Sequence, residues 1–253
     1  EGGFSLGVYT SRSRQVRYGY LDPARLPVKL QSGDRELLVV ALDTVQAGRY
    51  DTVLIDLNGN GRVEDEKPLR TYVETHEYAT LLTPEGKSFN FVVSYISPAG
   101  NYVKLGFDAV GHGTKVAGVL AGNGLVQGTA PGAELVAIKV FDGYAGNDLD
   151  RLKEAISLAA NMGVQVVNLS LGYSGLPASE RQQLEDLINN ISISRGITFC
   201  VSAGNLGPGL GSITSPAGSS RSISVGGFLS PAMWSLNYGW KVEQSTLWQF
   251  SSV

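Results

Sequence analysis

The spacing of apolar residues changes near residue 100, and the first part of the chain is typical of β-strands. Short apolar runs at 37–42, 52–56 and 89–95 stand between turns rich in Asp, Gly and Pro. Runs of this length, rich in Val, Leu and Phe and bounded by turn residues, favour strands. No segment of residues 1–100 has the three-to-four-residue apolar spacing of an amphipathic helix. We therefore predict that residues 1–100 form a β-rich region.

From about residue 105 the pattern alternates between strands and helices. The predicted elements are strand 134–141, helix 148–162, strand 164–171, helix 179–191 and strand 197–202. Ser179 is the predicted N-cap of the second helix, and Gly196 its stop. Alternation at this length indicates parallel strands joined by crossover helices. We predict an α/β fold over residues 101–253, with a mainly parallel sheet and helices on both of its faces.

Composition narrows the class of protein. The chain has 32 glycines in 253 residues, which exceeds the usual ~7% and suits tight turns between strands. The net charge of −3 argues against nucleic acid or an anionic membrane as partner. No run of 18 apolar residues exists, so no membrane span is predicted. Cys200 is the single cysteine and lies in an apolar run, which predicts a packed thiol. The chain begins with Glu1, so we expect it to start within a longer precursor or after processing.

Residues 108–118 carry the most informative motif, Asp-Ala-Val-Gly-His-Gly-Thr-Lys-Val-Ala-Gly. Glycines on both sides of His112 let the backbone turn tightly, and a segment of small residues follows. Imidazole has an ordinary pKa near neutrality, which suits His112 to moving protons. An isolated His-Gly pair would more often be structural, so the functional interpretation depends on the segments that follow.

This run resembles the histidine motif of the subtilisin-like serine peptidases (subtilases), Asp-x-x-Gly-His-Gly-Thr-His-Val-Ala-Gly, with Lys115 at the second histidine. Further segments resemble the family's motifs in the same order: 128–141, 166–172, 201–205 and 215–226. Residues 1–100 look like the insertion that the tripeptidyl-peptidase-like branch carries between its aspartate and histidine motifs. The resemblance therefore implies the central part of a subtilisin-like catalytic domain, and we expect a secreted or cell-surface location.

The resemblance implies acyl transfer through a serine. His112 would be the general base, and Asn205 would donate a hydrogen bond to the oxyanion. An extended peptide or protein substrate would bind as an added strand. The residues that would bind it are Ser170, Leu171, Gly172, Ala203 and Gly204. No cofactor is required for this chemistry, and the oligomeric state stays open.

The family's serine motif, Gly-Thr-Ser-Met-Ala, does not occur in these 253 residues. Ser251 and Ser252 resemble the Phe-Ser-Ser-x-Gly loop that precedes that motif. We expect the chain to carry the histidine and oxyanion parts of a serine endopeptidase and to be inactive alone. The alternative is a catalytically inactive, calcium-stabilised homologue that acts as a peptide-binding module.

A calcium loop is a second candidate site. The predicted ligands are the side chains of Asp56, Asn58, Asn60 and Glu66 and the backbone carbonyl of Arg62. Oxygen side chains at alternate positions followed by Gly61 are typical of the opening of an EF-hand loop. Lys67, at the twelfth position, cannot ligate, so Asp65 or Glu66 would have to close the shell. The loop could instead be an Asn-Gly hairpin turn without metal, and Asp56, which ends an apolar run, could be the catalytic aspartate.

Overall fold

The computed structural model describes residues 5–26, 28–108, 110–141 and 149–253. These residues form two compact units, one up to His112 and one from Gly113 onward. In its described residues the first contains one short α-helix and one turn of 3-10 helix (Pro23–Arg25), and the rest consists of strands and loops. The second contains the parallel sheet.

The first sheet explains why the run 37–42 is apolar at every position. Strands β1 (Arg17–Leu21), β2 (Leu37–Leu42) and β3 (Thr52–Ile55) pair antiparallel in the order β1-β2-β3. Successive side chains of a strand point to opposite faces. One face of β2 contributes Leu37 and Ala41 to the larger core of this unit, and the other contributes Leu38 and Val40 to a second, smaller core. Both faces of the central strand are therefore buried.

A second antiparallel sheet completes this unit. It contains β4 (Ala79–Leu82), β5 (Ser88–Ile96) and β6 (Val103–Gly106), in that order. Phe89, Phe91 and Val93 alternate along β5 and are buried in the same core as β2. Because β6 pairs with β5, the unit extends past the predicted boundary at residue 100. One helical turn, α1 (Tyr72–Thr75), was not predicted.

The second unit is built around three parallel strands, β7 (Val166–Leu169), β8 (Thr198–Ser202) and β9 (Ser222–Val225), in that order. Helices α3 (Leu149–Asn161) and α4 (Ala178–Arg195) pack against Phe199 and Val201. The predicted start of the first helix, Asp148, lies outside the described residues. Gly196 ends α4 in the left-handed region, with φ of 68°, as predicted. The N-cap prediction is wrong: Pro177 occupies the N-cap position without a side-chain hydrogen bond, the helix begins at Ala178, and Ser179 lies in its first turn.

Helices cover only one face of this sheet among the residues that the structure describes. On the other face Val166, Ile223 and Val225 are each more than half exposed. Helix α2 (His112–Ala121) buries none of its residues, and Val119 on it is exposed. The prediction of helices on both faces is therefore met on one face only.

The predicted strand 134–141 is also wrong. These residues form no strand, and Leu135 and Val136 are nearly half exposed. Val140 and Phe141, at its end, pack against the core of the second unit. An apolar run becomes a strand only when a neighbour accepts and donates its backbone hydrogen bonds. In the described part of the chain no other strand pairs with this run.

A hairpin and a short helix that the sequence analysis did not predict complete the second unit. Strands β10 (Phe228–Leu229) and β11 (Thr246–Leu247) pair antiparallel on either side of α5 (Pro231–Tyr238). The hydroxyl of Ser230 accepts a hydrogen bond from the backbone N–H of Met233 and so caps α5. None of the described helices has the length and apolar character needed to cross a bilayer.

Candidate functional site

Two predicted substrate-binding segments follow neighbouring parallel strands. Strand β7 ends at Leu169 and β8 at Ser202, and these strands lie side by side. The carboxyl ends of adjacent parallel strands meet at one edge of the sheet, where polar sites commonly form. The Ser202 hydroxyl donates a hydrogen bond of 3.3 Å to the carbonyl oxygen of Leu171, across the two segments. The structure thus brings together Ser170, Leu171, Gly172, Ala203, Gly204 and Asn205.

Thr214 packs between these two segments and was not identified from the sequence. Its backbone N–H donates to the carbonyl oxygen of Ala203 at 2.9 Å, and its side chain is buried. A Cβ atom at Gly172 would collide with the Thr214 hydroxyl. Gly204 has φ of 116°, and a Cβ there would lie 2.8 Å from the Thr214 side chain. Glycine is therefore required at both positions, whereas a single threonine in a loop carries no sequence pattern that would reveal its role.

Asn205 lies in a loop that is fixed by hydrogen bonds between its neighbours and Ser252. The carbonyl oxygen of Gly204 accepts a hydrogen bond of 3.0 Å from the backbone N–H of Ser252. The Ser252 hydroxyl accepts one of 3.1 Å from the N–H of Leu206, and Ser252 itself is buried. Asn205 stays exposed between these anchors. Its amide group is therefore placed on a fixed backbone and is accessible to a ligand.

His112 is the first residue of α2 and is exposed. The carboxylate of Asp108 accepts hydrogen bonds from the backbone N–H groups of Val110 and Gly111, at 3.2 and 2.7 Å. These bonds close the turn that leads into the helix. Lys115, one turn further along the helix, is exposed as well.

The predicted calcium loop is held by its own hydrogen bonds. The carboxylate of Asp56 is fully buried and accepts hydrogen bonds from the backbone N–H groups of Asn60 and Gly61, at 2.9 and 2.7 Å. The side-chain amides of Asn58 and Asn60 both donate to one carboxylate oxygen of Asp65. Through these hydrogen bonds the Asp56 carboxylate holds the turn of its own loop.

Glu66 closes the same loop from its other end. One carboxylate oxygen accepts hydrogen bonds from the backbone N–H groups of Leu57 and Asn58, at 2.8 and 3.3 Å. Burial raises the pKa of Glu66, and the charges of Asp65 and Asp56 raise it further against the lowering effect of those hydrogen bonds. The Arg62 side chain forms an ion pair with Glu64 at 2.6 Å. No group of three or more His, Cys, Asp or Glu residues within the described ranges is placed to hold a metal ion.

Calcium binding to this loop stays a prediction with a direct test. A cation that binds only the native state raises its stability by mass action. We expect millimolar calcium to raise the melting temperature of the protein and Asp56→Ala to abolish that increment. Asp56→Ala also removes the acceptor of the Gly61 backbone N–H, whereas the Asn60 N–H keeps the side-chain oxygen of Asn58 as its acceptor. This loss should cost about 1–3 kcal/mol with or without calcium. Only the calcium-dependent increment therefore tests the site.

The matched control for this experiment is Glu85→Ala, which removes an exposed carboxylate of the β4–β5 turn. It should keep the whole calcium increment. If wild-type protein melts at the same temperature with calcium and with a chelator, the loop is a metal-free turn.

Asp43 is a buried carboxylate that the sequence analysis did not identify. It follows β2 and accepts hydrogen bonds from the hydroxyl of Ser11 and from the backbone N–H groups of Ser13 and Gly48. Burial alone would raise the pKa of Asp43, but the hydrogen bonds to Ser11, Ser13 and Gly48 outweigh it and hold the pKa well below its ordinary value. The carboxylate thereby connects the segment before β1 to the end of β2.

The depressed pKa of Asp43 predicts acid sensitivity. A carboxylate whose folded pKa lies below its unfolded pKa stabilises the fold fully above the unfolded value, near ~4. That contribution is lost as the pH falls from there toward the folded pKa. We expect the free energy of unfolding in urea to fall progressively as the pH is lowered from about 5 toward the folded pKa, and Asp43→Asn to flatten that dependence. An Asp43→Asn protein with the wild-type slope would show that other carboxylates dominate.

Comparison with known proteins agrees with the motifs. The model of the subtilase family matches residues 87–253. Pyrolysin of Pyrococcus furiosus is 26% identical over 95% of this chain and 19% of its own length. Tripeptidyl-peptidase 2 of Caenorhabditis elegans is 30% identical over 81% of this chain and 15% of its own. Subtilisin Savinase of Lederbergia lenta is 38% identical over 47% of this chain and 43% of its own.

The chain spans less than a fifth of the length of pyrolysin and of tripeptidyl-peptidase 2. Its resemblance to the subtilases, drawn from the segments around His112 and Asn205, is confirmed by a family match over more than half of its residues. The chain belongs to the subtilase family.

Proposed function

We propose that this chain supplies the general base and the oxyanion donor of a serine endopeptidase. The observation that carries the proposal is the joint placement of 170–172 and 203–205 at one edge of the parallel sheet. Thr214 packs between the two segments, and Asn205 is left exposed. Two of the relatives carry the names of peptide-cleaving enzymes, tripeptidyl-peptidase 2 and alkaline protease, which supports cleavage of peptide bonds.

In the proposed reaction an extended peptide binds along 170–172 through backbone hydrogen bonds. His112 accepts the proton of the attacking serine hydroxyl and later gives it to the leaving amine. The Asn205 amide donates to the carbonyl oxygen as negative charge develops on it. The reaction requires a serine nucleophile and an aspartate that orients His112, and no segment of the 253 residues matches the family's serine motif.

The proposed substrate is a peptide or protein, and no cofactor takes part in the chemistry. A structural calcium ion in the 56–66 loop is compatible with this function, because it would act on stability and not on the reacting atoms. A secreted or cell-surface location remains part of the proposal.

Active-site labelling tests this function. We expect residues 1–253 alone to hydrolyse no peptide and to resist a fluorophosphonate probe, whereas the complete protein reacts with the probe and loses its activity. Labelling of residues 1–253 that disappears on mutation of one serine would place the nucleophile within them. A complete protein that binds peptides but neither hydrolyses them nor reacts with the probe would instead be the inactive peptide-binding homologue.

A further inference from the structure

An exposed cluster of aromatic rings lies in the segment that contains β10, α5 and β11. We call it the aromatic cluster; its members are Trp234, Tyr238, Trp240, Trp248 and Phe250. The rings form a continuous chain in which neighbouring centroids are 5.0 to 6.5 Å apart. The cluster includes all three tryptophans of the protein.

The cluster is not part of a core. Trp240 is 61% exposed, Tyr238 is 46% exposed and Phe250 is 44% exposed. No residue of α5 is buried, and Leu236 on that helix is 89% exposed. Aromatic side chains gain most from burial, so a contiguous group of them at the surface marks a binding surface more often than a structural one.

The backbone of the cluster is continuous with residues 170–172 and 203–205 at the edge of the parallel sheet, which we call the candidate cleft. The carbonyl oxygen of Phe250 accepts a hydrogen bond of 2.9 Å from the backbone N–H of Gly207. Ser252, two residues further, holds the carbonyl oxygen of Gly204. The Asn205 loop therefore packs directly on the last residues of the cluster.

The arrangement of the rings fits an extended peptide. Alternate side chains of an extended chain lie about 6.6 Å apart on one face, close to the spacing of the rings. A sugar would need open, coplanar faces, but Trp234 and Trp240 stack on each other at 8° and so cover one face of each ring. Trp248 is tilted by 74° and 43° to its neighbours Tyr238 and Phe250.

The charge of the 228–250 segment also indicates which kind of ligand the aromatic cluster binds. Lys241 and Glu243 are the only charged residues in the 228–250 segment, and their charges are opposite in sign. The segment therefore has no net charge that would attract a phosphate or an acidic peptide. The rings offer mainly apolar contact, which matches aromatic, proline or aliphatic side chains.

We propose that the aromatic cluster binds the apolar side chains of a peptide substrate where that peptide extends beyond the cleft at 170–172 and Asn205. This inference rests on the proposed peptidase function and deepens it: the preferred substrate is an extended, neutral peptide with apolar side chains at alternate positions. The cluster adds affinity outside the reacting bond and so acts on substrate binding.

Because all three tryptophans lie in the cluster, intrinsic tryptophan fluorescence reports on this surface alone. We would titrate the protein with a neutral decapeptide that has Phe at alternate positions and with the same decapeptide in which Ser replaces Phe. The Phe peptide should bind saturably and change the fluorescence, and the Ser peptide should bind at least tenfold more weakly. Trp240→Ala should weaken binding of the Phe peptide about tenfold.

Tyr20→Ala is the matched control, because Tyr20 is an aromatic residue of β1 with 60% exposure, close to that of Trp240. It should leave the affinity unchanged. Binding of the Phe peptide without a fluorescence change, and unaffected by Trp240→Ala, would overturn the inference and leave the cleft as the peptide site. A fluorescence change that depends on protein concentration in the absence of peptide would assign the surface to self-association. A change that occurs only when phosphatidylcholine vesicles are added would assign it to a membrane. Either result would overturn the inference. The proposed function has a separate test: it would be overturned if the complete wild-type protein neither reacted with the fluorophosphonate probe nor hydrolysed peptides.

Discussion

His112→Ala is expected to lower kcat of the complete protein by about 10⁴-fold or more, as removal of a triad base does. The proton of the serine hydroxyl would then have no acceptor in the transition state. His112 is exposed at the first position of α2, so the substitution removes no buried contact. The melting temperature of the His112→Ala protein should therefore differ little from that of the wild-type protein, as is usual for surface substitutions. Steady-state kinetics with a peptide substrate and thermal unfolding together measure both effects.

Lys115→Ala provides the control for this substitution, because Lys115 is exposed on the same helix three residues away. It should retain most of the activity. A folded His112→Ala protein with a tenth of wild-type kcat would show that His112 has a structural role and would remove the general base from the proposal.

Asn205→Ala is expected to lower kcat by about 10²- to 10³-fold with little change in KM. The amide of Asn205 meets a full negative charge only in the transition state, and interactions made only there affect kcat and not ground-state binding. The loop is held by backbone contacts of Gly204 and Leu206, which the substitution leaves intact. The protein should therefore keep its fold.

Asn161→Ala is the comparison for Asn205→Ala, since Asn161 is an exposed asparagine at the end of α3 in the same unit. It should not change kcat. If Asn205→Ala changes KM alone, Asn205 binds the substrate and does not stabilise the oxyanion.

The sequence predicted correctly those elements whose local residue pattern has a single structural explanation. The run 37–42 is apolar throughout because β2 has a core on each face, and its bounds were predicted without error. Gly196 was predicted as a helix stop because only the left-handed conformation ends α4 there, and glycine adopts it without strain.

The elements that sequence missed depend on contacts between distant residues. The run 134–141 has the composition of a strand, but composition does not supply a neighbouring strand. Thr214 packs between two glycines that lie 42 and 10 residues before it in the chain, and Asp43 accepts a hydrogen bond from Ser11, which lies 32 residues before it. Such partners become visible only when the fold brings them together. The segment around His112 and Asn205 was recognised because its motifs are local.

The different sheet topologies of the two units bear on how the chain folds. In the first unit every paired strand is the next or previous strand in sequence, and no pair needs a helical crossover. In the second, β7 and β8 pair in parallel only after α4 has connected them. Contacts between residues far apart in sequence slow folding, because the entropy of closing the loop is lost before the contact forms. During synthesis the first unit is therefore expected to reach its native pairing early, while the segment that bears Asn205 acquires its geometry late.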